Sequence, residues 1–244
     1  MDAMDNLFKQ AADNSSNRME MHERILREIK AERMLEIGVY KGDFAAFMLK
    51  ACPSRNTYYM LDPWRTLEDW NKPANKDDDS FNAFLEEARS KTSFAGDRRI
   101  FLRGKTTEVI NEIEPESLDA VYVDGDHTLK GITIDLVNAW NKLRPNGLII
   151  GDDFTPSIWQ HSSKYEPTMI FPLAVYFAEA VQSPITALPY DQFVIHKTNA
   201  GFRFNDLTGK YSDVSVKHQF TWKSHIKQTA KNVLSIFGLA HKTY

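Results

Sequence analysis

Short apolar runs separated by polar turns set the rhythm of the first two thirds of the chain. MLEIG (34–38), TYYML (57–61), IFLRG (100–104) and the runs at 119–123 and 147–151 are all of strand length. Apolar residues are continuous in them rather than alternating, the pattern of strands covered on both faces. Between these runs the spacing turns helical: through Phe44, Phe47, Met48 and Leu49, around 80–90, briefly in KTTEVINEI, and from about 128 to 143. Strand and helix alternate from Met34 to Gly151, which predicts a parallel sheet with helices on both faces. Upstream, Met19, Ile25, Leu26 and Ile29 interleave with charges and predict an amphipathic helix from Arg18 to Glu32. After Asp153 a helix from about 168 to 182 leads into ITALPY, QFVIHK and GFRFND, short pieces on tight links that predict an antiparallel edge.

This pattern divides the chain into an N-terminal arm and helix (1–32), an α/β domain (33–207) and a basic amphipathic C-terminal tail (208–244). The first 17 residues are polar and Asn/Ser-rich, the composition of a loose arm or short helix. The segment WRTLEDWNKPANKDDDS breaks the alternation after the second strand and reads as a surface loop or lid. With 244 residues the chain is long enough for one α/β domain with a large core. A net charge of −3 gives no basic footprint for nucleic acid. A lone Cys52, no apolar run long enough to span a bilayer and no signal-like start together predict a soluble cytoplasmic protein without stable membrane insertion.

Chemistry gathers at the strand ends. Parallel strands point their carboxyl ends to one rim, where open α/β sheets bind ligands. Asp124 ends the strand at 119–123, Asp152-Asp153 end the strand at 147–151, and Asp126 and His127 follow in the loop after Asp124. Three carboxylates on one rim suit a divalent cation. The first strand runs into Glu36-Ile37-Gly38-Val39-Tyr40-Lys41-Gly42 and a helix, a turn that can hold a phosphate or an amino-acid carboxylate. Tyr40 stands where a dinucleotide fingerprint needs its second glycine, which counts against NAD. Asp62 ends the next strand, placed to accept from ribose hydroxyls or to cap a turn. Trp64 follows, as a cover for adenine or as core.

Together, Glu36-Ile37-Gly38-x-x-x-Gly42, Leu61-Asp62-Pro63-Trp64, Val123-Asp124-Gly125-Asp126-His127 and Leu143-Arg144-Pro145-Asn146-Gly147 ending in Asp152-Asp153 resemble the small class I S-adenosylmethionine (SAM)-dependent methyltransferases. The likeness spans about residues 30–200 and is closest to the macrocin-type O-methyltransferases of sugars and natural products, and more distant to the catechol type. It implies a Rossmann-like, mostly parallel seven-stranded sheet whose last strand is antiparallel. It also implies that Glu36, Gly38 and Gly42 hold the methionine part of SAM, Asp62 the ribose, and Gly104, Lys105 and Thr106 the adenine. In the metal-dependent branches, carboxylates matching Asp124, Asp152 and Asp153 hold Mg²⁺. The catechol type has a lysine base three residues after the first metal Asp, where this chain has His127.

Methyl transfer to a hydroxyl needs the acceptor aligned and its proton removed. A bound Mg²⁺ orients neighbouring hydroxyls and lowers the pKa of one. His127 is the first candidate for the base and Asp126 the second, while Asp126 can equally close a turn and His127 cap a helix. The acceptor is then a small molecule, a sugar or natural product. Two rival readings are a metal-dependent glycosyltransferase using Asp124-Gly125-Asp126 and a SAM-binding protein without turnover. The mouth is expected between the 64–80 insertion and the 154–168 segment, with Phe154, Trp159, His161 and Tyr165 as aromatic walls. The lysine-rich tail, with Phe220, Ile226, Val233, Leu234, Ile236 and Phe237 at helical spacing, is expected to pack on the domain or to join a homo-oligomer, with attachment to an anionic membrane surface as the alternative.

Overall fold

In a computed structural model, residues 3–53, 56–162, 164–212 and 214 are described. The expected tail helix lies almost wholly outside them. Five parallel strands follow the apolar runs: β1 (Arg33–Ile37), β2 (Thr57–Asp62), β3 (Arg99–Arg103), β4 (Leu118–Val123) and β5 (Leu143–Gly151). They are joined through helices α3 (Asp43–Ala51), α4 (Asp78–Lys91), the short α5 (Thr106–Val109) and α6 (Leu129–Lys142). After α7 (Ile170–Ala180) come β6 (Pro184–Leu188), β7 (Gln192–His196) and β8 (Arg203–Asp206). The sheet has eight strands in the order β3-β2-β1-β4-β5-β7-β6-β8.

β7 is antiparallel to both of its neighbours, β5 and β6, so the seventh strand reverses as expected. β8 was expected to continue the antiparallel edge; it pairs instead with β6 in parallel and adds an eighth strand. The chain does reverse after β7, but both edges of β7 are already occupied. The open edge of β6 is the available place, and a strand running opposite to β7 is parallel to β6 there. β5 also starts earlier than the apolar run, at Leu143, with a register shift opposite Leu118/Ala120 that absorbs the exposed Arg144-Pro145-Asn146.

Two cores lie on opposite faces of the sheet, and the period of two within each strand assigns residues to them. Met34, Met60, Tyr122 and Ile150 face α3, α4 and an N-terminal pair, α1 (Ala3–Asp13) and α2 (Arg18–Glu28). Leu35, Leu61, Val121 and Ile149 face α6 and α7. The two N-terminal helices are part of the packing: Phe8, Met21, Ile25 and Leu26 are buried in the first core. α2 stops at Glu28 rather than Glu32, because Ile29 caps it and Lys30 turns left-handed at φ 53°. Among the described residues no helix is long and apolar enough to cross a membrane.

Candidate active site

Backbone hydrogen bonds extend one residue beyond the strands and stitch the carboxyl rim. Gly38 N donates to Leu61 O (2.9 Å), Asp124 N to Ile37 O (2.8 Å), Gly104 N to Asp62 O (3.1 Å) and Asp152 N to Val123 O (3.1 Å). Gly38 takes φ +90°, and a Cβ there would lie 2.0 Å from Asp124 O. Its glycine is therefore demanded by contact with the turn that carries the first carboxylate. Gly42, left-handed at the start of α3, would meet Ala88 of α4 at 2.9 Å. Both glycines of the motif thus serve close packing within the chain.

Glu36 is buried on the first-core face and accepts a hydrogen bond from Tyr58 OH at 2.6 Å. Burial, opposed by that hydrogen bond, holds its pKa well above the usual carboxylate range. Asp62 accepts from Tyr40 N (2.9 Å) through one oxygen and Trp64 N (2.8 Å) through the other. Burial raises its pKa too, and these amides oppose the rise. Asp62 therefore clamps the glycine turn to the strand it ends, with lone pairs left on both oxygens. Trp64, expected as an adenine cover, is fully buried: it packs on Phe101 and its ring N–H donates to Tyr40 O at 2.8 Å. Its side chain belongs to the core because the turn after Asp62 folds it inward at φ 39°.

The residues after β3 split in two directions. Lys105 points outward, with Nζ 3.5 Å from Asp69, beside a cleft formed with Arg65–Asp69. Thr106 points inward and donates to Asp135 of α6 at 2.6 Å. Asp135 is buried beneath Gly125, and burial pushes it up to about 7 against the opposing Thr106 hydrogen bond. The sequence carried a signal for it: Asp135 lies in the apolar stripe Ile132, Leu136, Ala139 of α6.

On the acceptor side, Asp124, His127 and Asp153 come together, with one ligand atom from each within 4.8 Å of the others. His127 Nδ1 lies 2.7 Å from Asp153 Oδ2, and Nε2 faces Asp124 Oδ1 at 3.3 Å without hydrogen-bond alignment. Burial would lower the His127 pKa, but the two carboxylates outweigh it and push it up to about 10. Gln160 Nε2 holds the other oxygen of Asp153 at 2.5 Å. Asp152, expected beside Asp124 and Asp153 as a metal ligand, turns instead to Arg18 of α2 and Gln192 of β7. Asp126 is engaged on both oxygens, by Trp70 Nε1 (2.9 Å) and by Thr128 N and Oγ1. That leaves it closing a turn, and weakens both its role as base and the Asp124-Gly125-Asp126 pair of the glycosyltransferase reading.

The insertion is held over this rim. Lys72 Nζ donates to Glu166 O (2.7 Å) and Pro167 O (3.2 Å), and Asn71 bonds Lys164 O (2.8 Å). Phe154, expected in the mouth, is buried against Phe171, Phe193 and Tyr211. Arg18, His22 and Gln192 escaped the sequence reading because their partners are distant in the chain, and Gln160 because it meets Asp153 across an irregular loop that has no periodic pattern. The one local hint is that Arg18 lies four residues before the buried His22 on one face of α2.

Residues 35–154 match a family described as a methyltransferase domain. This segment, just under half of the chain, carries the sequence pattern of a methyltransferase domain. Solved structures similar to about four fifths of the chain include the O-methyltransferase TomG from Streptomyces achromogenes, in complex with SAM (18% identity, 81% of this chain and 90% of that one, TM-score 0.53). The O-methyltransferase from Bacillus cereus, in complex with SAH, is another (19% identity, 80% and 90% covered, TM-score 0.55). A third is the SAH-bound methyltransferase PaMTH1 from Podospora anserina (16% identity, 81% and 88% covered, TM-score 0.51). No curated protein matches the sequence. At these identities the structural likeness establishes the fold of the domain: Rossmann-like, of the class I methyltransferase type.

Proposed function

We propose that this methyltransferase domain uses SAM as donor and a hydroxyl of a small molecule, a sugar or natural product, as acceptor, with help from a divalent cation. The observation that carries the reading is the division of one rim into two halves. Glu36, Gly38, Gly42, Asp62 and the Gly104-Lys105-Thr106 corner occupy the donor half, and Asp124, His127 and Asp153 the acceptor half. SAM in TomG and SAH in the Bacillus cereus enzyme support the donor.

On the donor side, Asp62 has lone pairs for ribose hydroxyls, and Lys105 stands at the open cleft where the adenine end would lie. On the acceptor side, Asp124 and Asp153 supply the hard oxygens that fit Mg²⁺ or Mn²⁺. Such an ion, when bound, orients the acceptor and lowers the pKa of its hydroxyl. His127 is oriented by Asp153 through Nδ1, as a carboxylate orients a catalytic imidazole. Against burial, Asp124 and Asp153 raise its pKa to about 10, and a cation that took up their charge would favour the neutral form, whose Nε2 could accept the hydroxyl proton. The Lys72 clasp holds the insertion over the rim and limits water at the transferring methyl group.

Calorimetry with SAM, then methyl transfer to a panel of sugars and phenols with and without EDTA, tests this. Binding of SAM in the micromolar range and EDTA-sensitive transfer are expected. His127→Gln should lower kcat by roughly 100-fold or more while SAM affinity holds. A chain that binds no SAM would sink the donor assignment; EDTA-resistant transfer would sink the cation.

A further inference from the structure

Both oxygens of Asp152 already have protein partners, and one of these is a permanent cation, whereas the oxygens of Asp153 meet only His127 and Gln160 among the described residues. Oδ2 is in direct contact with Nη1 of Arg18, and Oδ1 accepts from Nε2 of Gln192. Gln192 is itself fixed: His22 Nε2 lies 2.8 Å from its Oε1, and its amide also donates to Tyr190 O at 2.9 Å. The same guanidinium nitrogen donates to Tyr122 OH at 3.2 Å and stands 3.9 Å from Asp124 Oδ2. A permanent cation therefore lies between Asp124 and Asp152, the first two carboxylates of the expected metal set.

Its position is not a surface accident. Arg18 opens α2 directly after the N-cap Asn17, whose side chain accepts from Glu20 N, and Met21, His22, Ile25 and Leu26 bury the helix on the sheet. The helix delivers the guanidinium from more than a hundred residues away, and about a third of the side chain remains exposed. A divalent ion seated on Asp152 would have to displace a bound guanidinium and forfeit the Gln192 hydrogen bond. Asp124 and Asp153 have no such partner among the described arginines and lysines at closer range than His127.

We infer that Arg18 is a resident cation of the rim that competes with a divalent ion for Asp152 and Asp124, so that the ion is held by Asp124 and Asp153 while Asp152 stays paired with arginine. The inference rests on the cation-assisted reading above. It makes Arg18 a positioning residue: it sets which carboxylates the ion can use and how tightly it binds.

Mn²⁺ binding to the full chain, followed by electron paramagnetic resonance, tests it without reference to turnover. Arg18→Gln should tighten Mn²⁺ by roughly tenfold or more, since it frees two carboxylates from a competing charge. Arg18→Lys, which keeps the charge, should stay within about threefold of wild type, and so should Asp152→Asn. Asp153→Asn should weaken binding by roughly tenfold or more. Equal or weaker Mn²⁺ affinity in Arg18→Gln, including no binding in either protein, overturns the inference; so does an Asp152→Asn loss as large as that of Asp153→Asn. Thermal unfolding confirms that each variant is folded, and a second charge-neutral change, Arg18→Met, must reproduce the Gln result. If Arg18→Gln tightens Mn²⁺ while methyl transfer ignores the ion, the cation-assisted reading fails and the competition stands. If transfer needs the ion but Arg18→Gln leaves its affinity unchanged, only the competition fails.

Discussion

At Gly38 a single hydrogen atom decides whether the rim can close. The backbone sits at φ +90°, and the space a methyl group would need is filled by the carbonyl of Asp124. Gly38→Ala therefore meets a left-handed penalty and a backbone clash at once, and should cost about 3 kcal/mol or more in urea denaturation. A loss below about 1 kcal/mol would mean that the Asp124 turn gives way at little cost. Asp135 offers a different kind of test. Its pKa is about 7 in the folded protein, raised by burial, against 3.8 for the free side chain. Between those values the folded chain keeps a proton that the unfolded chain has released, so Asp135 contributes a stability that falls as pH rises from about 4 to about 7 and is level beyond. Asp135→Asn carries no charge at any pH and removes that slope. The variant should gain on wild type in thermal midpoint between pH 4.5 and 7.5; parallel curves across that window would show that Asp135 ionises at its ordinary value.

Among the elements, β4 is the most heavily tied, and at its first turn the tie is a carboxylate. Asp119 Oδ2 accepts from the amides of Glu32 (2.6 Å) and Arg33 (2.8 Å), and Oδ1 pairs with Arg144 Nε at 2.8 Å. One side chain thus joins the starts of β4 and β1 to the bulged start of β5, at the end of the sheet opposite the active rim. Asp119→Ala leaves two backbone donors and a guanidinium unpaired, and should cost about 2–4 kcal/mol. SAM affinity, read by calorimetry, should change by less than about twofold, because the rim is a sheet length away. A large loss of SAM binding in a stable variant would contradict this division of labour. The elements themselves were legible because strands buried on both faces must be apolar throughout, and helices covering them must repeat at 3.6. The rim aspartates were legible for the same reason, since a charge that ends an apolar run is conspicuous. The direction each side chain takes was not. Asp152 and Asp153 are adjacent, yet one turns to α2 and the other to His127, because Asp153 adopts φ +55° and its neighbour continues the strand. Trp64 and Phe154 read equally well as walls or core until the chain's path chose core. β8 followed from strand order, which no local pattern encodes.

For the molecule as a whole, the sequence suggests an N-terminal arm and helix over residues 1–32, and the helices of that segment pack into the fold. α1 and α2 contribute Phe8, Met21, Ile25 and Leu26 to the core on one face of the sheet. Arg203 of β8 grips both oxygens of Asp5 at 2.9 Å, and Tyr190 OH donates to Ser15 O at 2.7 Å, so the hairpin of helices is also pinned to the β6–β8 edge. Burial of four large apolar side chains is worth about 1.5–3 kcal/mol each, a sum comparable with the whole stability of an ordinary domain at about 5–15 kcal/mol. Removal of residues 1–28 also strips Arg18 and His22 from the Asp152–Gln192 pair and exposes the faces of Met34 and Tyr122. Such a chain should keep far-ultraviolet helix and strand signal but lose near-ultraviolet dichroism, bind a hydrophobic dye and melt without a cooperative transition. If it instead unfolds cooperatively within about 10 °C of the full chain, the N-terminal helices are an appendage and the core closes without them.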